Sequence, residues 1–139
     1  MKTIICFWGL SEIGKTSAIK TIWQNLKNGS NPPLDISSDD ICDIVYLDNH
    51  KIGIESQGDP YSKQTEWIDI LIKEECEIII CASRTKGGTV KIVESRAQDY
   101  GYELIWISPL SSIQDSLHSD LNSITSESII KLIKVLLTK

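Results

Sequence analysis

With 139 residues, 41% of them hydrophobic and 24% charged, the chain is long enough for one buried core and too short for two ordinary domains, so a single domain over residues 1–139 is expected. The net charge of −5 disfavours nucleic-acid backbones and anionic membrane surfaces as partners, because the surface as a whole repels polyanions. No stretch reaches membrane-spanning length, and Met1-Lys2-Thr3 runs straight into an apolar segment with no room for a leader, so a cytoplasmic location is expected. Cys6, Cys42, Cys76 and Cys81 show no CxxC spacing and the histidines are His50 and His118, a pattern that predicts reduced thiols rather than a zinc cluster.

Residues 2–8 form a continuous apolar run rather than an alternating one, as expected for a parallel strand covered by helices on both faces. The run ends at Gly9-Leu10-Ser11-Glu12-Ile13-Gly14-Lys15-Thr16, a GxxxxGK[ST] segment, and Ser17 leads into residues at helical spacing. Glycines let successive backbone N–H groups converge on phosphate oxygens, and the helix behind them points the positive end of its dipole at the same anion. Lys15 in such a segment reaches the β- and γ-phosphates, and Thr16 offers a hydroxyl to Mg²⁺, a hard cation that prefers oxygen ligands. On these residues the chain resembles the P-loop NTPase superfamily. The resemblance implies a nucleotide cradle running from Gly9 to Ser17.

Ala18, Ile19, Ile22, Trp23 and Leu26 give residues 15–27 one apolar stripe, and Asn28-Gly29 stops this helix. Residues 28–40 (NGSNPPLDISSDD) are polar and aperiodic, which predicts a mobile loop beside the phosphates. Ser37 and Ser38 are candidates there for a second Mg²⁺ ligand, a plain solvated loop being the alternative. Residues 41–47 and 51–55 are joined by Asp48-Asn49-His50, a connection too short for a crossover, so these strands must be antiparallel neighbours with His50 at the tip. This hairpin resembles the second and third strands of GTPase-type members. Glu55-Ser56-Gln57-Gly58 then has the spacing of DxxG, and by resemblance Glu55 would hold Mg²⁺ through water while the Gly58 N–H senses the γ-phosphate. Asp59 stands where many members carry the glutamine that orients water. It is a candidate to orient or deprotonate that water, with Gln57 as the second candidate, but Asp59-Pro60 is equally an ordinary helix start.

Trp67, Ile68, Leu71 and Ile72 form the buried stripe of a helix over residues 61–75, and residues 77–82 are another buried strand. That strand ends at Ser83-Arg84-Thr85-Lys86-Gly87-Gly88-Thr89, before a helix with Val90, Val93, Ala97 and Tyr100 inward. Ligands of open α/β sheets bind at the carboxyl ends of strands, so Arg84 and Lys86 are candidate nucleotide contacts, solvated loop cations being the alternative. Residues 102–107 make the last strand. Ser108-Pro109-Leu110-Ser111 follows where GTPases carry the guanine-reading NKxD, none of which is present; ATP is therefore expected before GTP, with residues 108–112 lining a base pocket. Residues 111–126 are polar with a short helical turn, and residues 128–139 place Ile129, Ile130, Ile133, Leu136 and Leu137 on one helical face.

These elements predict an α/β fold, a three-layer α/β/α sandwich on a five-stranded, mostly parallel sheet with one antiparallel edge strand, residues 41–47. The expected function is Mg²⁺-dependent binding and hydrolysis of a nucleoside triphosphate, with Lys15, Asp59 and Gln57 as catalytic candidates and Thr16, Glu55 and Ser38 at the metal. Two alternatives stand. One is a small kinase, in which Asp39 or Asp40 binds an acceptor hydroxyl; the presence of only two arginines, Arg84 and Arg96, weighs against it. The other is a nucleotide-binding switch or interaction module with negligible turnover.

Overall fold

The computed structural model describes residues 1–9, 14–27, 35–37, 40–59, 62–84 and 88–139, with backbone alone for 35–37. In chain order the elements are β1 (Thr3–Trp8), α1 (Lys15–Leu26), β2 (Asp35–Ser37), β3 (Asp40–Leu47), β4 (His50–Glu55), α2 (Gln64–Lys73), β5 (Ile78–Ser83), α3 (Gly88–Tyr100), β6 (Glu103–Ile107) and α4 (Asp115–Leu136). The strands form one sheet in the order β2-β3-β4-β5-β1-β6. β1 pairs in parallel with β5 and β6, and β5 with β4. β3 alone runs against its neighbours, pairing antiparallel with both β4 and β2.

The continuous apolar runs become the central strands because both sheet faces are covered. Ile5, Phe7, Ile52, Ile54 and Ile80 face α1 and α4, where they meet Ala18, Ile19, Ile22, Ile129 and Ile133. Ile4, Cys6, Ile79 and Cys81 face the other way, onto Trp67, Ile68 and Leu71 of α2 and Val93 and Ala97 of α3. The result is the expected three-layer sandwich.

Several details differ from the expectations. A three-residue strand, β2, pairs outside β3, so the antiparallel strand is not the outermost one. The β3–β4 turn is two residues long: Asp48 and Asn49 both adopt left-handed conformations (φ 51° and 68°), the requirement of a tight hairpin turn that Asp and Asn tolerate best. His50 therefore opens β4 opposite Leu47 instead of marking the tip, and its Nδ1 lies 3.1 Å from Glu77 Oε1. α2 begins at Gln64 rather than at residue 61. Tyr100 is half exposed, so the inward face of α3 is carried by Thr89, Val93 and Ala97. Residues 115–136 are one continuous helix, α4, where a short turn and a separate terminal helix were expected. No helix among the described residues is long and apolar enough to cross a membrane.

Candidate functional site

The parallel arrangement brings Gly9 after β1, residues 56–59 after β4 and Ser83-Arg84 after β5 to the same end of the sheet. β3 is antiparallel, so its first residue, Asp40, arrives at that end too. Gly14 precedes α1 with φ 83° and ψ 24°, a left-handed conformation that glycine adopts without strain. The first turn of α1 carries no acidic residue and, among the described residues, meets no side-chain cap, an arrangement that suits an external anion.

Lys15 opens α1 and turns back beneath this end of the sheet. Its ammonium donates to Gly9 O at 2.6 Å and Ser83 O at 2.7 Å, and the residue is only 5% exposed. Burial lowers the ammonium's pKa; Asp59 offsets part of this and Arg84 adds to it. Two of its three protons are held by carbonyls, so Lys15 is fixed by the protein rather than projecting freely.

Beside it, a cavity of about 130 Å³ is lined by Lys15, Thr16, Asp40, Ser56, Gln57, Gly58, Asp59 and Ser62. Asp40 organises its floor. Oδ1 accepts from Ser56 Oγ at 2.8 Å and from Thr16 Oγ1 at 3.3 Å, and Oδ2 accepts from Gln57 Nε2 at 3.3 Å. Ser56 Oγ also accepts the Ile41 N–H at 2.8 Å, tying the end of β4 to the start of β3. α1 reaches this corner because it packs across β5 and β4 to β3, where Trp23 Nε1 donates to Asp43 Oδ2 at 2.7 Å.

Gly58 sits where its loop touches the end of β5: a Cβ added there would stand 2.7 Å from Ser83 N and 2.8 Å from Ala82 C. Glycine is required by this close approach, whatever its N–H does. Gln57 is engaged at both ends, donating to Asp40 and accepting the Lys63 N–H at 2.6 Å. Its amide is thus held as a structural bridge between β3 and the start of α2, not left free to orient water. Asp59 does not cap α2, whose first turn is met by Gln57 Oε1 and by Ser62 Oγ, the latter accepting the Gln64 N–H at 3.2 Å. Instead the Asp59 carboxylate, 54% exposed, takes the Arg84 Nε–H at 3.0 Å.

Glu55 does not line the cavity. It is 0% exposed and points to the α2–α3 face, in a lateral row where it pairs with Cys42 on β3 while Cys6 pairs with Cys81 on the strands beyond. Neither carboxylate oxygen has a well-formed hydrogen bond among the described residues. Burial raises its pKa well above the carboxylate range, helped by the Cys6 thiol, and the nearby backbone N–H groups of Ala82 and Gln57 offset only part of that. The acid facing Thr16 is therefore Asp40, and Glu55 is a buried carboxyl whose pKa is raised chiefly by that burial.

A larger cavity, about 540 Å³, opens next to Gly14 and Ser17 and is lined further by Leu110, Ser111, Ser112, Ile113, His118, Leu121 and Asn122. His118 Nε2 is 2.7 Å from Ser112 O, which can only accept, so the proton is on Nε2. Leu10, Ser11, Glu12, Ile13, Ser38, Asp39 and Lys86 lie outside the described residues. Among the described residues no three His, Cys, Asp or Glu side chains gather as a metal cluster.

Ser56 and Ser62, and His118, Leu121 and Asn122 at the larger cavity, are the additions the structure makes to the site, and Asp40, expected only as an acceptor-hydroxyl contact, is found facing Thr16. Asp40 was open to inference, since a hairpin with a short turn must place the start of its first strand beside the end of its second. A comparison of the chain with protein-family models, curated proteins and solved structures finds no match.

Proposed function

We propose that the chain binds a nucleoside triphosphate with Mg²⁺ along Gly9–Ser17 and cleaves its terminal phosphoanhydride bond, as the resemblance to P-loop NTPases implies. The observation that carries this reading is the convergence of Lys15, the uncapped first turn of α1 and the Thr16–Asp40 pair on one small polar cavity at the carboxyl end of the sheet. The nucleoside would occupy the larger cavity beyond Gly14 and Ser17, whose volume and mixed lining suit a base and ribose.

The donors at Thr16, Asp40 and Ser56 are all oxygens, a set that fits Mg²⁺ and not a softer metal. Two or three protein oxygens leave the remaining positions to phosphate and water, the usual arrangement for this ion. When bound, Mg²⁺ would supply charge neutralisation on the phosphates. The chain's own groups do the rest. Lys15 holds the terminal phosphates with its remaining donor, Arg84 offsets developing negative charge, and Asp59 receives the proton from the attacking water. Adenine is preferred to guanine because no carboxylate stands among the described residues lining the larger cavity.

Calorimetry of MgATP and MgGTP binding tests this reading, with Lys15→Ala as the control. Wild type is expected to bind MgATP and the variant to lose that binding. Equal affinity in both, or no binding by wild type, would overturn the assignment.

A further inference from the structure

Among the described residues the sheet has two edges, and they are built differently. β2, at one edge, is three residues long, too short to template another chain. β6, at the other, runs Glu103-Leu104-Ile105-Trp106-Ile107, with one charge at its first position and neither lysine nor proline to discourage pairing. Only β1 pairs with it among the described residues. The Glu103 N–H donates to Lys2 O at 2.9 Å, and in a parallel pair alternate residues turn both backbone groups to the neighbour, so Glu103, Ile105 and Ile107 are engaged with β1. The N–H and C=O groups of Leu104 and Trp106 therefore point away from the sheet. The Trp106 side chain is exposed as well, meeting Trp8 edge to face with 6.4 Å between ring centres.

α4 leaves a second unpartnered surface on the same side. Ser126 Oγ accepts from Asn25 Nδ2 of α1 at 2.8 Å, which fixes the side of α4 that faces α1. Leu117 and Val135 each stand nine positions from Ser126, about two and a half turns, and so lie on the opposite side of the helix, with Leu121, Ile124 and Ser128 between them in the same row. Leu117, Ile124 and Val135 are exposed. Because Ile129 and Ile133 pack α4 into the cluster that Ile105 and Ile107 of β6 border, a row turned away from α1 looks out past that strand.

We propose that β6 and this row of α4 form the interface of a two-fold dimer, in which a second copy of the chain pairs its β6 antiparallel to the first. An axis through Ile105 sets Leu104 of each copy opposite Trp106 of the other, so the two residues exchange every outward N–H and C=O. Glu103 then faces Ile107, and the acids of the two strands do not meet. The same axis suits α4. The Met1 ammonium contacts Leu136 O and Lys139 O, so the end of α4 is level with the start of the chain. Ile5, beside Ile105, lies four residues further on, about 13 Å along β1 and hence about nine residues back along α4, near Ser128 and close to the middle of the exposed row. The two α4 helices would therefore pack antiparallel, Leu117 of one toward Val135 of the other. Asp120 in the first half of α4 and Lys131 and Lys134 in the second line one flank of the row, and antiparallel packing brings the acid of each copy beside the lysines of the other. Glu127 falls near the axis, with Lys131 one turn along its own helix to offset its charge. This arrangement commits the surface to a second copy, since a partner of one sign would match half of the flank and oppose the rest. Pairing β6 on β6 also closes, where β6 on β2 would propagate as a filament.

The test uses the full chain without nucleotide and so stands apart from the triphosphate reading. Sedimentation equilibrium over a wide range of protein concentration is expected to show monomer and dimer and no larger species. Trp106→Lys, which places a charge on the open edge, should weaken the dimer about tenfold or more. Two further variants alter only exposed charges of α4 and keep the test decisive where Trp106→Lys does not fold: Asp120→Lys, and Lys131→Asp combined with Lys134→Asp. Each alone should dimerise more weakly than wild type, and an equimolar mixture of the two should recover dimerisation as a heterodimer, because every lysine on the flank then faces an acid. A monomer at every concentration overturns the proposal and leaves β6 to a strand of another protein. A dimer that all the variants leave intact, or an assembly that grows beyond two copies, overturns it as well.

Discussion

Thr16 on α1 and Asp40 at the start of β3 are 24 positions apart in the chain, yet the Thr16 hydroxyl lies 3.3 Å from Asp40 Oδ1. The contact joins the residue that the GxxxxGK[ST] spacing marks for a hard cation to a carboxylate that the spacing does not mark. Asp40→Asn keeps the size and most hydrogen-bonding capacity of the side chain but removes its charge. It is expected to raise the Mg²⁺ concentration needed for half-maximal nucleotide binding by about 10–100-fold, the usual penalty for losing a residue that orients or balances a metal. A Mg²⁺ titration of MgATP binding checks this; an unchanged midpoint would remove Asp40 from the cation's surroundings.

Gly58 carries a purely steric prediction. Any side chain there meets the backbone of Ala82 and Ser83, which belongs to a central strand and cannot yield as a flexible side chain would. Gly58→Ala should cost about 1–3 kcal/mol, the range for overpacking a well-filled interior. Urea unfolding measures it, and a loss below half a kilocalorie per mole would mean that the loop after β4 relaxes away from β5.

How far these features were legible depends on what kind of information each needs. β1, α1, α2 and β5 follow from local pattern, because an unbroken apolar run or a 3.6-residue stripe encodes burial directly. β2 has three residues inside a segment rich in Pro, Ser and Asp, and only its partner β3 makes it a strand. The first half of α4 hid for a different reason. Leu117, Leu121 and Ile124 stand at helical spacing, but they are isolated among Ser, Asp and Asn residues that favour turns, and Leu117 and Ile124 remain exposed, so the stretch reads as polar although the helix continues through. Asp40 lines the small cavity and Glu55 does not, because spacing along β4 cannot say which face a strand-end carboxylate takes, whereas the antiparallel register can.

The base preference is tested by competition. The described lining of the larger cavity offers Ser17, Ser111, Ser112, His118 and Asn122 as polar groups and no carboxylate. Guanine's ring N–H and exocyclic amine would then lack a charged acceptor, and a buried donor left unpaired costs about 1–3 kcal/mol. ATP should displace a fluorescent nucleotide analogue at least as well as GTP. A strong preference for GTP would show that a segment outside this lining supplies the acid.

Glu55 gives the sharpest pH test because its carboxyl is fully buried and that burial is the main cause of its raised pKa. Below the ordinary glutamate range both folded and unfolded chains carry the proton, and the residue does not make stability depend on pH. As pH rises past that range the unfolded chain releases the proton while the folded chain retains it. The folded state then loses stability, by at most about 1.4 kcal/mol per pH unit, until the folded-state pKa is passed. Glu55→Gln keeps the shape and cannot ionise, so its stability relative to wild type should grow from near pH 4 upward. The same variant should leave the Mg²⁺ midpoint of nucleotide binding unchanged, since Asp40 and not Glu55 faces Thr16 in the small cavity. Urea unfolding of both proteins from pH 4 to 8.5 checks the first expectation and a Mg²⁺ titration the second. Parallel stability curves would mean that Glu55 ionises normally in the fold, and a shifted Mg²⁺ midpoint would return it to the metal.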